Sequence, residues 1–201
     1  MTVEKHSYHH GDLRAALLAA GESVLAETGM EGFSLRRVAR EVGVSHSAPA
    51  HHFGETQGLL VALATQGFRQ FLAAMQARQN ACQTQDAGDL LVASGLGYLD
   101  FTIASPALFK LMFGSDKMDV CDPALEAAAT AAFDHLAQDI ARLRGVSPYE
   151  DAAAMADVMA SWSMVHGFAS LLLSGRMPDV QAMDQPAREA FFRQVFARVI
   201  R

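Results

Sequence analysis

The sequence is poor in cysteine and has no long apolar run. Among its 201 residues are two cysteines, Cys82 and Cys121, which lie far apart in the chain. We expect both to be free thiols, since a disulfide-rich secreted domain would need more of them. No apolar run approaches the roughly 18 residues that a membrane span requires, and the N-terminus lacks the hydrophobic core of a signal peptide. These absences predict a cytoplasmic protein without membrane association.

An excess of positive charge is also missing, which counts against binding to nucleic acid. The formal net charge is -6, whereas a DNA-binding domain usually has a basic footprint. Residues 1–56 hold 5 lysines and arginines against 7 aspartates and glutamates, so this segment is acidic too. It also contains six of the eight histidines. A face of arginines and imidazoles can still bind phosphates, and we expect it to do so more tightly at lower pH.

Residues 34–53 have the pattern of two short helices joined by a glycine turn. Apolar residues of the first helix share one face at helical spacing: Leu35, Val38, Ala39 and Val42. Ser34 is a suitable N-cap and Gly43 a suitable left-handed end, while Ser45 or Ser47 can cap the second helix. This pattern is typical of a helix-turn-helix. The same helix-glycine-helix corner also occurs in all-α proteins that never contact DNA.

Pro49 restricts where the second helix can begin. With Ser45 as N-cap, Pro49 would occupy the fourth helical position, remove the first backbone hydrogen bond and crowd the Ser45 carbonyl. With Ser47 as N-cap, Pro49 falls at the second helical position at almost no cost. We therefore predict the Ser47 register or a distorted first turn.

No segment alternates with β-branched enrichment, so we predict an all-α fold. Helices are expected over 11–27, from residue 56 towards 75, and over 86–104. Three later helices are expected to begin with a proline in their first turn: Pro106, Pro123 and Pro148. Ser147 and Glu150 have the spacing of a capping box for the third of these. A terminal helix is expected over 186–200. The chain divides near Gly54 into a three-helix N-terminal head, 1–54, and a larger helical body, 55–201.

Four groups of residues resemble the TetR family of transcriptional repressors. Those in the head are Leu17, Ala20, Gly29, Phe33, Ser34, Leu35, Val38, Ala39, Gly43, Val44, Ser45, His52, Phe53, Leu59 and Leu60. Residues 106–114 resemble the Pro-x-Leu-Phe-x-x-Met-Phe-Gly segment of one subgroup. Residues 162–167 resemble its Trp-x-x-x-His-Gly signature, and residues 8–14 its leader.

The resemblance implies a homodimer that binds double-stranded operator DNA with its heads and a small hydrophobic effector with its bodies. The effector would release the repressor from DNA. Two departures from the family pattern concern phosphate contacts. Pro49 and Ala50 replace a usual Leu-Tyr pair in the recognition helix, and Thr56 replaces a usual lysine at the start of the next helix.

The predicted DNA contacts lie on the two short helices and at the start of the next one: Ser34, Arg36, Arg37, His46, Ser47, Ala50, His51 and Thr56. Arginine guanidinium groups suit both phosphates and guanine edges. An alternative for Arg37 is an i,i+4 pair with Glu41 on a solvated face.

The predicted effector site is a stripe at helical spacing in the body: Met155, Met159, Trp162 and His166. Further residues of this site are expected to be Phe101, Phe109, Met112 and Phe113. Methionines adapt to ligands, and one indole and one imidazole supply a few polar anchors on an apolar wall. The alternative is that the stripe is plain core. Gly167 predicts close packing of another helix, because glycine is unfavourable inside a helix.

For dimerisation, the resemblance implies a four-helix bundle formed by helices at about 148–174 and 186–200 of two copies. The stripe Phe192, Val195 and Val199 is expected to take part. The alternative is that these residues pack only within their own subunit.

Two other functions compete with this interpretation. A metal or redox sensor would use His9 and His10 with His51 and His52, or Cys82 with Cys121, yet no ligand set with the usual spacing is present. A hydrolase would use Asp157, Ser161 and His166, but Ser161 and His166 point apart on one helix. We therefore expect a regulator rather than an enzyme, with no metal and no cofactor.

Overall fold

The computed structural model describes residues 10–114 and 122–198. Over these ranges the chain forms ten helices and no strand: α1 (His10–Gly32), α2 (Leu35–Val42), α3 (Ala48–Phe53), α4 (Thr56–Asn80), α5 (Ala87–Ala104), α6 (Pro106–Gly114), α7 (Pro123–Arg144), α8 (Ala152–Leu173), α9 (Pro178–Ala182) and α10 (Gln185–Phe196). The all-α prediction is confirmed. Of the described helices, none alone is long and apolar enough to cross a membrane, although α5 and α6 taken together as a bent pair meet that test of length and composition.

The chain forms two compact units, of which the first comprises Met1–Gly67 and Ala107–Leu125. Its core brings together leucines of α1 and α4 with the inner face of α2, and the fully buried members include Leu17, Val38, Ala39, Leu59 and Leu63. α1 is interrupted by a kink at Gly29, whose φ of 64° suits glycine. The first helix was predicted to end at this glycine, and its regular part does end there.

α6 packs against α4 inside the first unit through a glycine. A Cβ atom at Gly67 would come within 2.6 Å of the Met112 Sδ, and Leu108 and Leu111 on the same helix are buried. α6 begins at Pro106, as predicted. α7 begins at Pro123, where the Asp122 carboxylate accepts hydrogen bonds from the backbone N–H groups of Ala124 and Leu125.

The second unit comprises Phe68–Pro106 and Glu126–Arg201, with α5 buried along most of its length. Two glycines allow neighbouring helices to come close to α5. A Cβ at Gly97 would lie 2.5 Å from the Ala74 carbonyl oxygen on α4, and one at Gly95 would lie 3.0 Å from the Phe192 ring on α10. Side chains larger than hydrogen would therefore push these helices apart.

An ion-pair network joins α4, α5 and α10 in the second unit. Arg78 forms a bidentate pair with Asp100, and its Nη2 also lies 2.6 Å from the Glu189 Oε1. The hydrogen bond with Asp100 raises the pKa of Arg78 further above its ordinary value, despite partial burial. Burial would raise the pKa of Glu189, but hydrogen bonds from Arg78 and Gln185 lower it overall. Bidentate arginine pairs of this kind fix helix register as well as charge.

The predicted start of α8 at Pro148 is wrong. Residues 148–150 form a turn in which the Ser147 carbonyl accepts from the N–H groups of Glu150 and Asp151. The helix begins at Ala152, because the Asp151 carboxylate caps it by accepting from the Ala154 N–H at 2.7 Å. A charged aspartate cap thus replaces the expected capping box. α9 was not predicted, and α4 extends through polar residues to Asn80.

Candidate nucleic-acid interface and effector site

α2 is fixed at both ends by the residues that the sequence indicated. The Ser34 hydroxyl accepts from the Arg37 N–H at 3.4 Å, and Gly43 adopts the left-handed conformation with φ 74°. The N–H of Val44 then donates to the Ala39 carbonyl at 3.0 Å, which closes the helix end in the manner of a Schellman motif. α2 is therefore short and well defined at both ends.

α3 begins in the register that Pro49 favours. Ser47 is the N-cap, so Pro49 occupies the second helical position, where it is buried. The His51 N–H donates to the Ser47 carbonyl at 3.1 Å. The Ser47 side chain makes no capping bond and instead lies 3.2 Å from the Ser45 Oγ. The register prediction is confirmed, whereas the Ser45 alternative is wrong.

The structure leaves the predicted DNA contacts accessible. Ser34 and Thr56, at the starts of helices, are half-buried. The other six are exposed: Arg36, Arg37, His46, Ser47, Ala50 and His51. Among the described residues, Arg36 and Arg37 form no ion pair, so the alternative pairing of Arg37 with Glu41 is not found. The guanidinium groups of Arg36 and Arg37 can therefore bind an anion.

Sequence reasoning missed two contacts that hold α3 in place. The Arg14 guanidinium lies 5.2 Å from the centre of the Phe53 ring, a cation–π contact between α1 and α3. Gly58 lets the first turn of α4 approach α3, since a Cβ there would be 2.0 Å from the Phe53 carbonyl oxygen. A glycine in the first turn of a predicted helix was the only sequence signal for this contact.

The predicted effector residues fall in both units. Phe109, Met112 and Phe113 belong to the first, where the rings of Phe109 and Phe113 lie 5.0 Å apart. Phe101, Met155, Met159, Trp162 and His166 belong to the second. Within the second unit Trp162 and His166 are half-buried and Met159 is 44% exposed. α8 thus presents part of the stripe on its surface.

A hydrogen bond that the sequence did not reveal connects the stripe to α5. The Tyr98 hydroxyl and the His166 Nδ1 are 2.8 Å apart, and the Tyr98 ring packs edge-on against Phe71. The Trp162 ring lies edge-on to both His166 and Phe133, at 6.5 and 5.9 Å between ring centres. Burial raises the pKa of Tyr98 and lowers the pKa of His166. Both groups are therefore neutral near pH 7 in an aromatic setting.

The described residues do not assemble the site of either alternative function. Asp157 pairs with Arg144 at 2.7 Å, and Ser161 is buried, so Asp157, Ser161 and His166 do not assemble as a triad. Over the described ranges, no group of three or more histidine, cysteine or acidic side chains could hold a metal ion. His9 and Cys121 lie outside those ranges.

A buried polar cluster on α7 has no counterpart in the sequence predictions. The Asp139 carboxylate accepts from Arg142 at 2.7 Å and from Gln79 at 2.8 Å. The His135 Nε2 is buried without a hydrogen-bond partner among the described residues and lies 3.8 Å from Asp139. Burial raises the pKa of Asp139. Burial also lowers the pKa of His135, and this lowering is larger than the rise caused by the attraction between Asp139 and the charged imidazole.

We expect this histidine to make the protein less stable in acid. Because the folded state holds the pKa of His135 below its unfolded value of about 6.5, the neutral form is favoured on folding. The stability that this preference contributes is therefore present above about pH 6.5, and it is lost as the pH falls below that value. Tm should be measured at about pH 8 and at about pH 5.5. Between these two pH values, the Tm of His135→Gln should fall less than that of the unaltered protein. An equal loss in both would contradict this account.

One of the three residues predicted to form the dimer contact packs inside its own subunit. Phe192 is fully buried, with its ring 5.4 Å from Phe168 and stacked on Phe196 at 5.5 Å. Phe192 therefore serves the core of its own subunit. Val195 is half-buried, and Val199 lies outside the described residues. Around Gly167, where we predicted close packing, no described atom from outside this stretch of α8 lies within 4 Å of the position that a Cβ would take.

Comparison with known families and structures gives consistent matches. Residues 17–63 match the family of bacterial regulatory proteins of the tetR type, and residues 91–199 match the tetracyclin repressor-like C-terminal domain. A comparison with curated proteins gives no match.

Among solved structures, one protein of unknown function from Rhodococcus sp. RHA1 is 30% identical, with a TM-score of 0.77, and the match covers 98% of this chain and 100% of that one. The TetR family transcriptional regulator PfmR from Thermus thermophilus is 18% identical, with a TM-score of 0.63 over 94% and 95% of the two chains. A TetR variant from Acinetobacter baumannii AYE, in complex with minocycline, is 19% identical, with a TM-score of 0.60 over 96% and 95%. The last two show similarity of fold.

Proposed function

The chain belongs to the TetR family of bacterial regulatory proteins, and on this premise we propose that it is a repressor which a small hydrophobic effector releases from operator DNA. As a member of this family it is a DNA-binding transcriptional regulator, not an enzyme. The observation that carries the proposal is the exposure of Arg36 and Arg37 on α2 beside the exposed surface of α3. We further propose that residues 1–54 form the DNA-binding domain, that residues 55–201 bind effector and dimerise, and that the protein acts in the cytoplasm.

The operator contacts are proposed to divide between positioning and sequence reading. Arg36 and Arg37 lie on the exposed side of α2, and a helix that crosses the backbone in this motif positions the protein through phosphates. His46, Ser47, Ala50 and His51 flank and form the first turns of α3, the helix that enters the major groove in such motifs. Ala50 offers a methyl group for apolar contact with a thymine methyl. Ser34 and Thr56 lie at helix starts, where backbone N–H groups can meet phosphates.

We propose that the effector site uses the part of the stripe in the second unit: Phe101, Met155, Met159, Trp162 and His166. Support comes from the hydrogen bond between the uncharged side chains of Tyr98 and His166, which lies beside the Trp162 ring. A site with two uncharged polar groups among aromatic side chains suits an apolar, uncharged compound with one hydrogen-bonding group. The participation of Phe109, Met112 and Phe113 stays a prediction. So does membership of the subgroup with the Trp-x-x-x-His-Gly signature, which Trp162 and His166 suggest.

Tryptophan fluorescence gives a direct test of this site, since Trp162 is the only tryptophan. A panel of uncharged aromatic and aliphatic compounds should include at least one that changes the emission and releases labelled DNA. Tyr98→Phe should weaken that compound about two- to tenfold, the usual effect of losing one hydrogen bond. The matched control Tyr149→Phe removes an exposed hydroxyl bonded to Asp134 and should have no effect. Equal affinities in both variants would place the effector elsewhere.

The exposed face of α8 is proposed as the dimer contact. Leu171 is 45% exposed, and Gly167, one turn before it on α8, has open space beside it. A second copy packed there would explain a glycine in mid-helix, since small residues let two helices approach closely. Val195 on α10 is proposed to border this contact.

Leu171→Glu should therefore convert the dimer to a monomer, because a charge would be buried in the contact. Native mass spectrometry of the purified protein would show the dimer and any retained small molecule. Ile103→Glu, the same change at an apolar residue of α5 that is 40% exposed, is the control and should remain dimeric. A monomeric parent protein, or a dimeric Leu171→Glu variant, would overturn the proposal.

A further inference from the structure

The second unit contains a cleft that shares no residue with the proposed effector site. It lies between the end of α4, the loop to α5 and α10, and has a volume of about 350 Å³. This is at the lower end of the range for small-molecule sites, about 300–1,000 Å³. Ala93 and Leu96, both buried, provide an apolar wall. The remaining wall is mainly polar.

Hydrogen-bond donors without acceptors line one part of this cleft. Arg78 uses its Nε and Nη2 for Asp100 and Glu189, and among the described bonds none involves its Nη1. Arg193 is exposed and forms no ion pair within the described ranges. The Thr84 Oγ1 accepts from the Asp86 N–H at 3.0 Å, which leaves its own proton to donate. Two guanidinium groups and a hydroxyl are the usual partners of a carboxylate.

The charges around the cleft restrict the ligand further. Arg78 and Arg193 supply two positive charges, whereas Asp100, Glu189 and the lining residue Asp89 supply three negative ones, so the sum is -1. A dianion such as phosphate would meet this net repulsion. The Asp89 carboxylate forms no ion pair with the described side chains, so it is an acceptor for an ammonium group.

We propose that the cleft binds a small zwitterion of the amino-acid type. Its carboxylate would contact Arg193, Arg78 and Thr84, its ammonium group would contact Asp89, and a short apolar side chain would lie against Ala93 and Leu96. The protein would then have a polar ligand site in addition to its hydrophobic effector site.

Cys82 lines the same cleft and serves as a reporter. In a Cys121→Ser background it is the only thiol, and its rate of reaction with a thiol reagent can be followed by absorbance. Leucine at up to about 10 mM, a range suited to millimolar affinity, should slow this reaction. The analogues 4-methylpentanoate and 3-methylbutylamine lack the ammonium and carboxylate groups respectively, and each should bind at least about tenfold more weakly. Inorganic phosphate should not protect.

Arg193→Gln should abolish protection by leucine, whereas Arg198→Gln, the same charge change at another exposed arginine near the end of α10, should retain it. Calorimetric titration of the unaltered protein with leucine gives a second measure that does not depend on the thiol. The proposal is overturned if leucine neither protects Cys82 nor releases heat. It is also overturned if the analogues or phosphate bind as well as leucine, or if Arg193→Gln binds normally.

Discussion

Replacing both Arg36 and Arg37 with alanine should weaken operator binding about a hundredfold near 0.1 M salt, with about tenfold from each phosphate or base contact. Both side chains are exposed on α2 and have no ion-pair partner within the described ranges, so their removal leaves no buried charge behind. Because each phosphate contact releases a counterion, the slope of log K against log salt concentration should also fall by about two. Fluorescence anisotropy over a series of salt concentrations measures both quantities.

The matched control removes two arginines from the second unit. Arg176 and Arg198 are exposed, so the double alanine variant changes net charge by the same amount. Its loss of affinity should be small, since distant charges are screened at this salt concentration. Equal losses in the two double variants would show that net charge alone governs binding. Arg36 and Arg37 would then not be contacts.

Gly58→Ala should abolish most operator binding while leaving the chain folded. Alanine normally stabilises a helix relative to glycine by about 1 kcal/mol. Here its Cβ would be 2.0 Å from the Phe53 carbonyl oxygen, a backbone atom that cannot rotate away. The first turn of α4 and the end of α3 must separate, at a cost of about 1–3 kcal/mol. A recognition helix displaced by even about 1 Å would lose hydrogen bonds to base edges.

Gly21→Ala provides the control for this prediction. Its Cβ would be 3.2 Å from a methyl group of Leu63, a flexible side chain, so the variant should bind DNA normally. Anisotropy titration, performed well below the Tm of each variant, separates a displaced α3 from unfolding. We expect the Tm of Gly58→Ala to fall by about 2–4 °C for each kcal/mol lost. Normal operator affinity in this variant would contradict the role given to Gly58.

Features determined by local chemistry could be predicted from the sequence. Ser34 and Gly43 carry cap signals within a few residues of the helix they bound, and Pro49 excludes one helix start by its own ring geometry. The start of α8 was mispredicted because two local caps compete there, and the Asp151 carboxylate caps the helix instead of Ser147. Short-range signals are ambiguous when such alternatives lie within one turn.

Features that depend on distant parts of the chain could not be predicted. Tyr98 bonds His166 across 68 positions of sequence, and Arg78 bonds Glu189 across 111. Neither pair has a spacing that a single sequence reveals. The full burial of Phe192 likewise follows from how α10 meets Gly95 on α5. The α10 stripe alone was equally compatible with a dimer surface.

The most direct test of operator recognition is selection of bound duplexes from a random DNA library, followed by footprinting on the recovered sequence. We predict a pseudo-palindrome in which a dimer protects two half-sites on successive major grooves, about one helical turn apart. Protection should disappear in the Arg36→Ala, Arg37→Ala double variant. Recovery of no preferred sequence, or protection of a single half-site by a monomer, would contradict the claim that α2 and α3 form an operator-reading helix-turn-helix.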